Sequence, residues 1–232
     1  MNHTVSPIVT GSSVLGVKYR DGVMIVTDTL VSYGSLKKFT NVPRLHKVGV
    51  NTVIGASGEY SDFQYISDHL DEQDKKEILY DDGDRRGPAE WASYLSVLMY
   101  NRRNKMNPLF NSIVIGGVDP QTGSSFLGLV DLYGTYYKDD VIATGYGAHL
   151  AIPLMRERAR TDMSEEDARV LLLDCMRVLY YRDCRATDKI QYAVATIAGV
   201  DLSREVEVRS QWDHKLWVTP TIAIGDMLGA SW

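Results

Sequence analysis

Cysteine is scarce in this chain, with two in 232 residues, Cys175 and Cys184. Two are too few for a disulfide framework. Together with five scattered histidines, His3, His46, His69, His149 and His214, they match none of the Cys/His spacings that hold zinc. The expectation is two free thiols, a reducing compartment and no metal. Long apolar runs are missing too. No window approaches the ~20 uninterrupted apolar residues of a membrane-spanning helix. Met1-Asn2-His3-Thr4-Val5-Ser6-Pro7 lacks the basic flank and apolar stretch of a secretory signal. These absences predict a soluble intracellular protein with no membrane contact. Positive charge is in deficit, with 25 Lys+Arg against 30 Asp+Glu and a formal net charge of −5. A surface without basic excess suits phosphate backbones poorly, so nucleic acid is not an expected partner.

What is present is ordinary globular composition, 44% hydrophobic and 24% charged. At ~100–200 residues per domain the length allows one large domain or two small ones, and no linker divides the chain. Val14 to Tyr19 and Val23 to Thr27 are β-branched runs joined by Arg20-Asp21-Gly22, the pattern of a hairpin. Leu45 to Val48 and Asn51 to Ala56 extend the sheet through a turn at Gly49-Val50-Asn51. The period then becomes helical: Phe63, Ile66 and Leu70, followed by Trp91, Tyr94, Leu95, Leu98 and Met99. Pro88 suits the first turn of the second helix, which should stop before Asn107-Pro108 with Arg102, Arg103 and Lys105 near its negative end. Strand patterns return at Ser112 to Val118 and Ser125 to Val130. Two further helices are predicted over Ala148 to Arg160 and from Ser164, which has Asp167 at near capping-box spacing. Lys189 to Ile197 and Glu205 to Val208 supply the last strands. By layer logic this order predicts two packed sheets with a helix pair on each outer face.

The tail from Gln211 to Trp232 stands apart. Trp212, Trp217, Ile222, Met227 and Trp232 are spaced by Pro220, Gly225 and Gly229 without a regular period. Either it folds back on its own domain or it docks as an arm on another subunit. Its apolar anchors favour the second, with those five as interface residues.

A scan for chemistry returns little. Asp81-Asp82-Gly83-Asp84 resembles a fragment of a calcium loop but lacks the remaining ligands. Gly145-Tyr146-Gly147 lacks the third glycine and strand-to-helix context of a dinucleotide site and fits the start of a helix. Arg102-Arg103 and Arg156-Glu157-Arg158 suit solvated helix faces or subunit contacts. No cofactor is expected.

The opening hairpin is more informative. Thr10-Gly11-Ser12-Ser13-Val14-Leu15-Gly16-Val17-Lys18-Tyr19 and Gly22-Val23-Met24-Ile25-Val26-Thr27-Asp28 resemble the start of proteasome beta subunits, where a glycine precedes an N-terminal nucleophile and a strand ends in aspartate. Gly55-Ala56-Ser57-Gly58 and Ala143-Thr144-Gly145-Tyr146-Gly147-Ala148 fit the same pattern, and the likeness runs from Val9 to Val208. Ser32-Tyr33-Gly34-Ser35, Arg102 to Pro108 and Val178-Leu179-Tyr180-Tyr181-Arg182-Asp183 are most similar to the non-catalytic type at the seventh position of the eukaryotic beta ring.

The resemblance implies an α+β fold, a four-layer αββα sandwich of the N-terminal-nucleophile hydrolase class. It divides the chain into a pro-segment or extension at 1–11, the domain at 12–210 and the arm at 211–232. Active members use an N-terminal Thr hydroxyl with its own α-amine as base, supported by a lysine and an aspartate. Here Ser12 stands at the nucleophile position, Asp28 at the aspartate and Arg44 at the lysine, where a guanidinium cannot relay a proton. Tyr146 stands where active members have a serine, Asp183 matches the buried aspartate, and Ala186 replaces a further serine. Asp28 and Asp183 are also explained as caps of neighbouring backbone N–H groups, and capping is the favoured reading. With Ser12 in the Gly11–Ser12 peptide bond no free amine exists. The expectation is a non-catalytic structural subunit with no catalytic residue, working in cytoplasm and nucleus. Its implied partners are neighbouring beta subunits, alpha-ring subunits and, through the arm, the opposing beta ring. The alternative is an active Ser-type peptidase after autocleavage at Gly11–Ser12. Trimming near Thr4 is also implied.

Overall fold

The computed structural model describes residues 6–80, 83 and 85–213. In chain order the elements are β1 (Val9–Gly11), β2 (Val14–Tyr19), β3 (Gly22–Asp28), β4 (Val31–Tyr33), β5 (Leu36–Phe39), β6 (Leu45–Val48), β7 (Thr52–Glu59), α1 (Tyr60–Tyr80), α2 (Pro88–Asn104), β8 (Asn111–Val118), β9 (Ser125–Val130), β10 (Tyr136–Lys138), β11 (Val141–Ala143), α3 (Gly147–Leu150), α4 (Ile152–Arg158), α5 (Glu165–Arg182), β12 (Lys189–Thr196), β13 (Gly199–Leu202) and β14 (Val206–Glu207). One sheet runs β10-β9-β8-β7-β1-β4-β5, with β6 also on β7. The other runs β11-β2-β3-β12-β13, with β14 on β12. All pairings are antiparallel.

The four layers follow from where apolar residues fall. Val14, Ile25, Val53, Val114, Leu127 and Ala193 fill the space between the sheets. Phe63, Ile66 and Leu70 of α1 and Trp91, Leu95 and Met99 of α2 cover the outer face of the first sheet. Met155 of α4 and Leu171, Leu172, Cys175 and Leu179 of α5 cover the second. A strand between a helix layer and another sheet has no solvent face, and all seven residues of β3 are buried. This is the αββα sandwich expected from the element order.

The opening hairpin turns on Arg20-Asp21, with Tyr19 opposite Gly22 inside the ladder. Gly22 serves close approach there: a Cβ would sit 2.0 Å from the Ala195 carbonyl oxygen of β12. The helix expected over Ala148 to Arg160 is broken at Ala151 into α3 and α4. Pro153 has no N–H to continue the helical ladder, and it occupies the first turn of α4 instead. Ser164 caps α5 as expected, its Oγ accepting from the Asp167 N–H at 3.2 Å. The strand expected at Glu205 to Val208 pairs only at Val206 and Glu207.

Residues 209–212 return to α5. Arg177 Nε donates to the Arg209 carbonyl at 2.9 Å and the Gln211 N–H donates to Tyr181 Oη at 2.6 Å. Trp212 packs edge-on against Tyr180 and Tyr181, with ring centroids 5.7 and 4.9 Å apart. Trp212, expected to dock on another subunit, is therefore seated on its own domain, with 53% of its surface exposed. Trp217, Ile222, Met227 and Trp232 lie outside the described residues, as do Asp81, Asp82, Asp84 and Thr4. Both cysteines are free thiols, Cys175 buried and Cys184 exposed. Burial pushes the Cys175 thiol up to about 11. Among the described residues no helix is long and apolar enough to cross a membrane.

Candidate functional site

β1 ends in the first sheet and β2 begins in the second, so Ser12 and Ser13 carry the chain from one sheet to the other. Hydroxyl groups fix this crossing. Ser13 Oγ accepts from the Gly147 N–H at 2.9 Å, and Thr144 Oγ1 accepts from the Val14 N–H at 3.0 Å. Ser12 Oγ donates to Asp183 Oδ2 at 2.5 Å. Asp183 follows the C-terminus of α5, and its Oδ1 accepts from the Arg185 N–H at 2.9 Å.

Asp28 closes β3 and is buried. Its Oδ2 accepts from the Thr187 N–H at 3.2 Å, and its Oδ1 meets Arg44 Nη2. Burial pushes the Asp28 carboxyl up. The Arg44 charge and the Thr187 N–H pull it back without cancelling the burial, and Asp183 adds to the rise.

Arg44, just before β6, is 1% exposed and lies at the centre. A guanidinium carries five N–H donors, and here each has an acceptor. Nε donates to the Asp28 carbonyl at 3.0 Å. Nη1 donates to the carbonyls of Ser12 at 3.0 Å and Ala56 at 3.1 Å, and Nη2 to the Ser13 carbonyl at 3.1 Å and to Asp28 Oδ1. Gly11 makes room for it: a Cβ there would lie 2.5 Å from Arg44 Cδ.

These contacts form a closed circuit. Ser12 bonds Asp183, the Asp183 carbonyl accepts from the Ala186 N–H at 3.1 Å, Thr187 bonds Asp28, and Asp28 with Arg44 returns to Ser12. Ala186 is buried in that turn and brings a methyl, not a hydroxyl; its carbonyl accepts from Lys37 Nζ at 3.0 Å. Tyr146, 52% exposed, lines a cavity of about 300 Å³ with Thr10, Ser12, Ser57, Ser112 and Arg185. All six positions singled out in the sequence thus converge. Both aspartates accept backbone N–H bonds, as the capping reading expects, and each also holds a side chain of the circuit.

Ser13, Thr144 and Glu59 were not among the expected residues. Nothing in the sequence marks Glu59, which besides the neighbouring Ser61 hydroxyl binds backbone N–H groups 50 and 51 positions away. Among the described residues no three His, Cys, Asp or Glu side chains gather to hold a metal ion.

The proteasome subunit family model matches residues 8–195, which span the circuit and both sheets. The chain belongs to the proteasome subunit family. Among its proteasome relatives, beta type-4 of Arabidopsis thaliana is 44% identical over 218 residues, covering 94% of this chain and 88% of that protein. Beta type-4 of Xenopus laevis is 46% identical over 215 residues, 92% and 88% of the two chains. Beta type-4 of Dictyostelium discoideum is 48% identical over 208 residues, 88% and 79%. The proteasome fold of the chain is the α+β N-terminal-nucleophile sandwich, and membership means assembly with other proteasome subunits in protein degradation.

Proposed function

We propose that this beta subunit of the 20S core cuts no peptide bond itself and acts as a structural member of the ring, beside catalytic neighbours. The carrying observation is Arg44. A group that tunes a nucleophile needs a donor to offer; this guanidinium spends all five donors on Asp28 and on main-chain carbonyls. As long as the Gly11–Ser12 bond is intact, the Ser12 nitrogen is an amide and cannot serve as the α-amine base of the class. Working in cytoplasm and nucleus, the subunit contacts neighbouring beta subunits and the alpha ring, and its arm beyond Ser210 reaches the opposing beta ring.

The test is Ser12→Ala in the assembled particle. Every peptidase activity should be unchanged at unchanged particle yield. Loss of one activity at normal yield would overturn the proposal in favour of a Ser-type peptidase freed by cleavage at Gly11–Ser12.

A further inference from the structure

The chain comes out of its core at Val208, which is buried in the apolar cluster that α5 covers and whose N–H donates to the Asp188 carbonyl at 2.7 Å. Residues 209–213 are exposed and lie outside any strand. They are nevertheless held, and what holds them is α5 reading their main chain. Arg177 Nε donates to the Arg209 carbonyl at 2.9 Å. Tyr181 Oη accepts from the Gln211 N–H at 2.6 Å and donates to the Gln211 carbonyl at 3.3 Å. None of these three bonds uses a side chain of the arm.

The spacing on the helix suits the spacing on the arm. Arg177 and Tyr181 are four residues apart on one face of α5, a rise of about 6 Å, which two residues of extended chain also cover. Arg209 meets Arg177 and Gln211 meets Tyr181, so the arm runs in the same direction as α5 and leaves toward its C-terminal end. The holding residues are themselves fixed. Arg177 Nη1 donates to Asp174 Oδ1 at 2.9 Å, and Asp174 Oδ2 accepts from Nη1 and Nη2 of Arg158 on α4, each at 3.1 Å. Tyr180 and Tyr181 both meet Trp212 edge-on, at interplanar angles of 80° and 85°. A segment whose direction is set in advance loses less freedom when its far part binds.

We propose, on the reading that the arm reaches the opposing beta ring, that Arg177 and Tyr181 form a preset clamp on the arm's backbone, which directs it past the C-terminal end of α5 before half-particles join. Tyr181 is then a positioning residue that acts through the arm. Its hydroxyl, which reads the N–H and the carbonyl of one residue, fixes the heading, and the sequence of the arm at 209–211 does not.

Half-particle joining is timed on native gels, from cells carrying each variant as their only copy of this subunit. Tyr181→Phe keeps the ring against Trp212 and removes the hydroxyl alone; it should slow joining by about three- to tenfold, as the loss of one or two hydrogen bonds would. Gln211→Ala keeps the main chain and should join at the wild-type rate, whereas Gln211→Pro loses the N–H and should be as slow as Tyr181→Phe. Truncation after Ser210 should be slower still, and adding Tyr181→Phe to it should change nothing further, because the hydroxyl then has no Gln211 to hold. A normal rate for Tyr181→Phe beside a slow truncation would overturn the clamp and leave the reach of the arm standing; a normal rate for the truncation would overturn both. Slow joining by Gln211→Ala would also overturn the clamp, as would a full added effect of Tyr181→Phe in the truncated chain, which would place the role of the hydroxyl in α5 itself. If Tyr181→Phe does not enter half-particles, amide hydrogen exchange of the wild type decides: a Gln211 N–H already protected in half-particles supports a preset clamp, and protection that arises only in full particles overturns it.

Discussion

Arg44 shows how one residue turns a site arrangement into a structural one. Replacing it by alanine leaves Asp28 buried without its counter-charge and takes the donor from four main-chain carbonyls. Removing one partner of a buried ion pair costs about 3–5 kcal/mol. Arg44→Ala should therefore lower the denaturation midpoint of the subunit sharply, or keep it out of the particle, while Arg44→Lys, with three donors for five acceptors, should be milder. Midpoints and incorporation yields measure both, and a neutral Arg44→Ala would contradict the bonding described. At this scale the sequence was legible only through resemblance. Ser12 and Asp183 lie 171 positions apart and Arg44 and Asp28 lie 16 apart. Such pairs form no local motif, and it is the crossing between sheets that brings them together.

Elements were legible where burial imposes a period over enough residues. The stripe through Trp91, Leu95 and Met99 marks α2, and Ala168 to Leu179 mark α5. β1 and β4, at three residues, are too short to carry a period, and β5, Leu36-Lys37-Lys38-Phe39, is exposed throughout and has none to show. The break at Ala151 depends on Pro153, a residue equally at home in the first turn of a helix. Of the two roles weighed for the C-terminal arm, the described residues show the first for its base, which is tied to α5 through Trp212; Trp217, Ile222, Met227 and Trp232 lie outside them. Truncation after Ser210 should let half-particles form but slow or weaken their joining, with Trp217→Ala giving a milder form. Native gels read the ratio of half to full particles, and a normal full-particle yield from the truncated chain would show the arm to be dispensable.

For the whole molecule, the architecture follows from alternation: strands, helices, strands, helices, strands can bury every apolar face only by stacking two sheets between two helix layers. What that order leaves open is which strand lies next to which. The placement of residues 8–11 in the middle of the first sheet is set by Glu59 and by the fit of Gly11 over Arg44, contacts that no pattern of hydrophobicity announces. The account centres on an uncut Gly11–Ser12 bond beside a saturated Arg44. The most direct measurement is the intact mass of this subunit, taken from assembled particles, with its N-terminal sequence. The account expects every molecule to begin upstream of Ile8, with Gly11 still joined to Ser12. A chain that begins at Ser12 would contradict it.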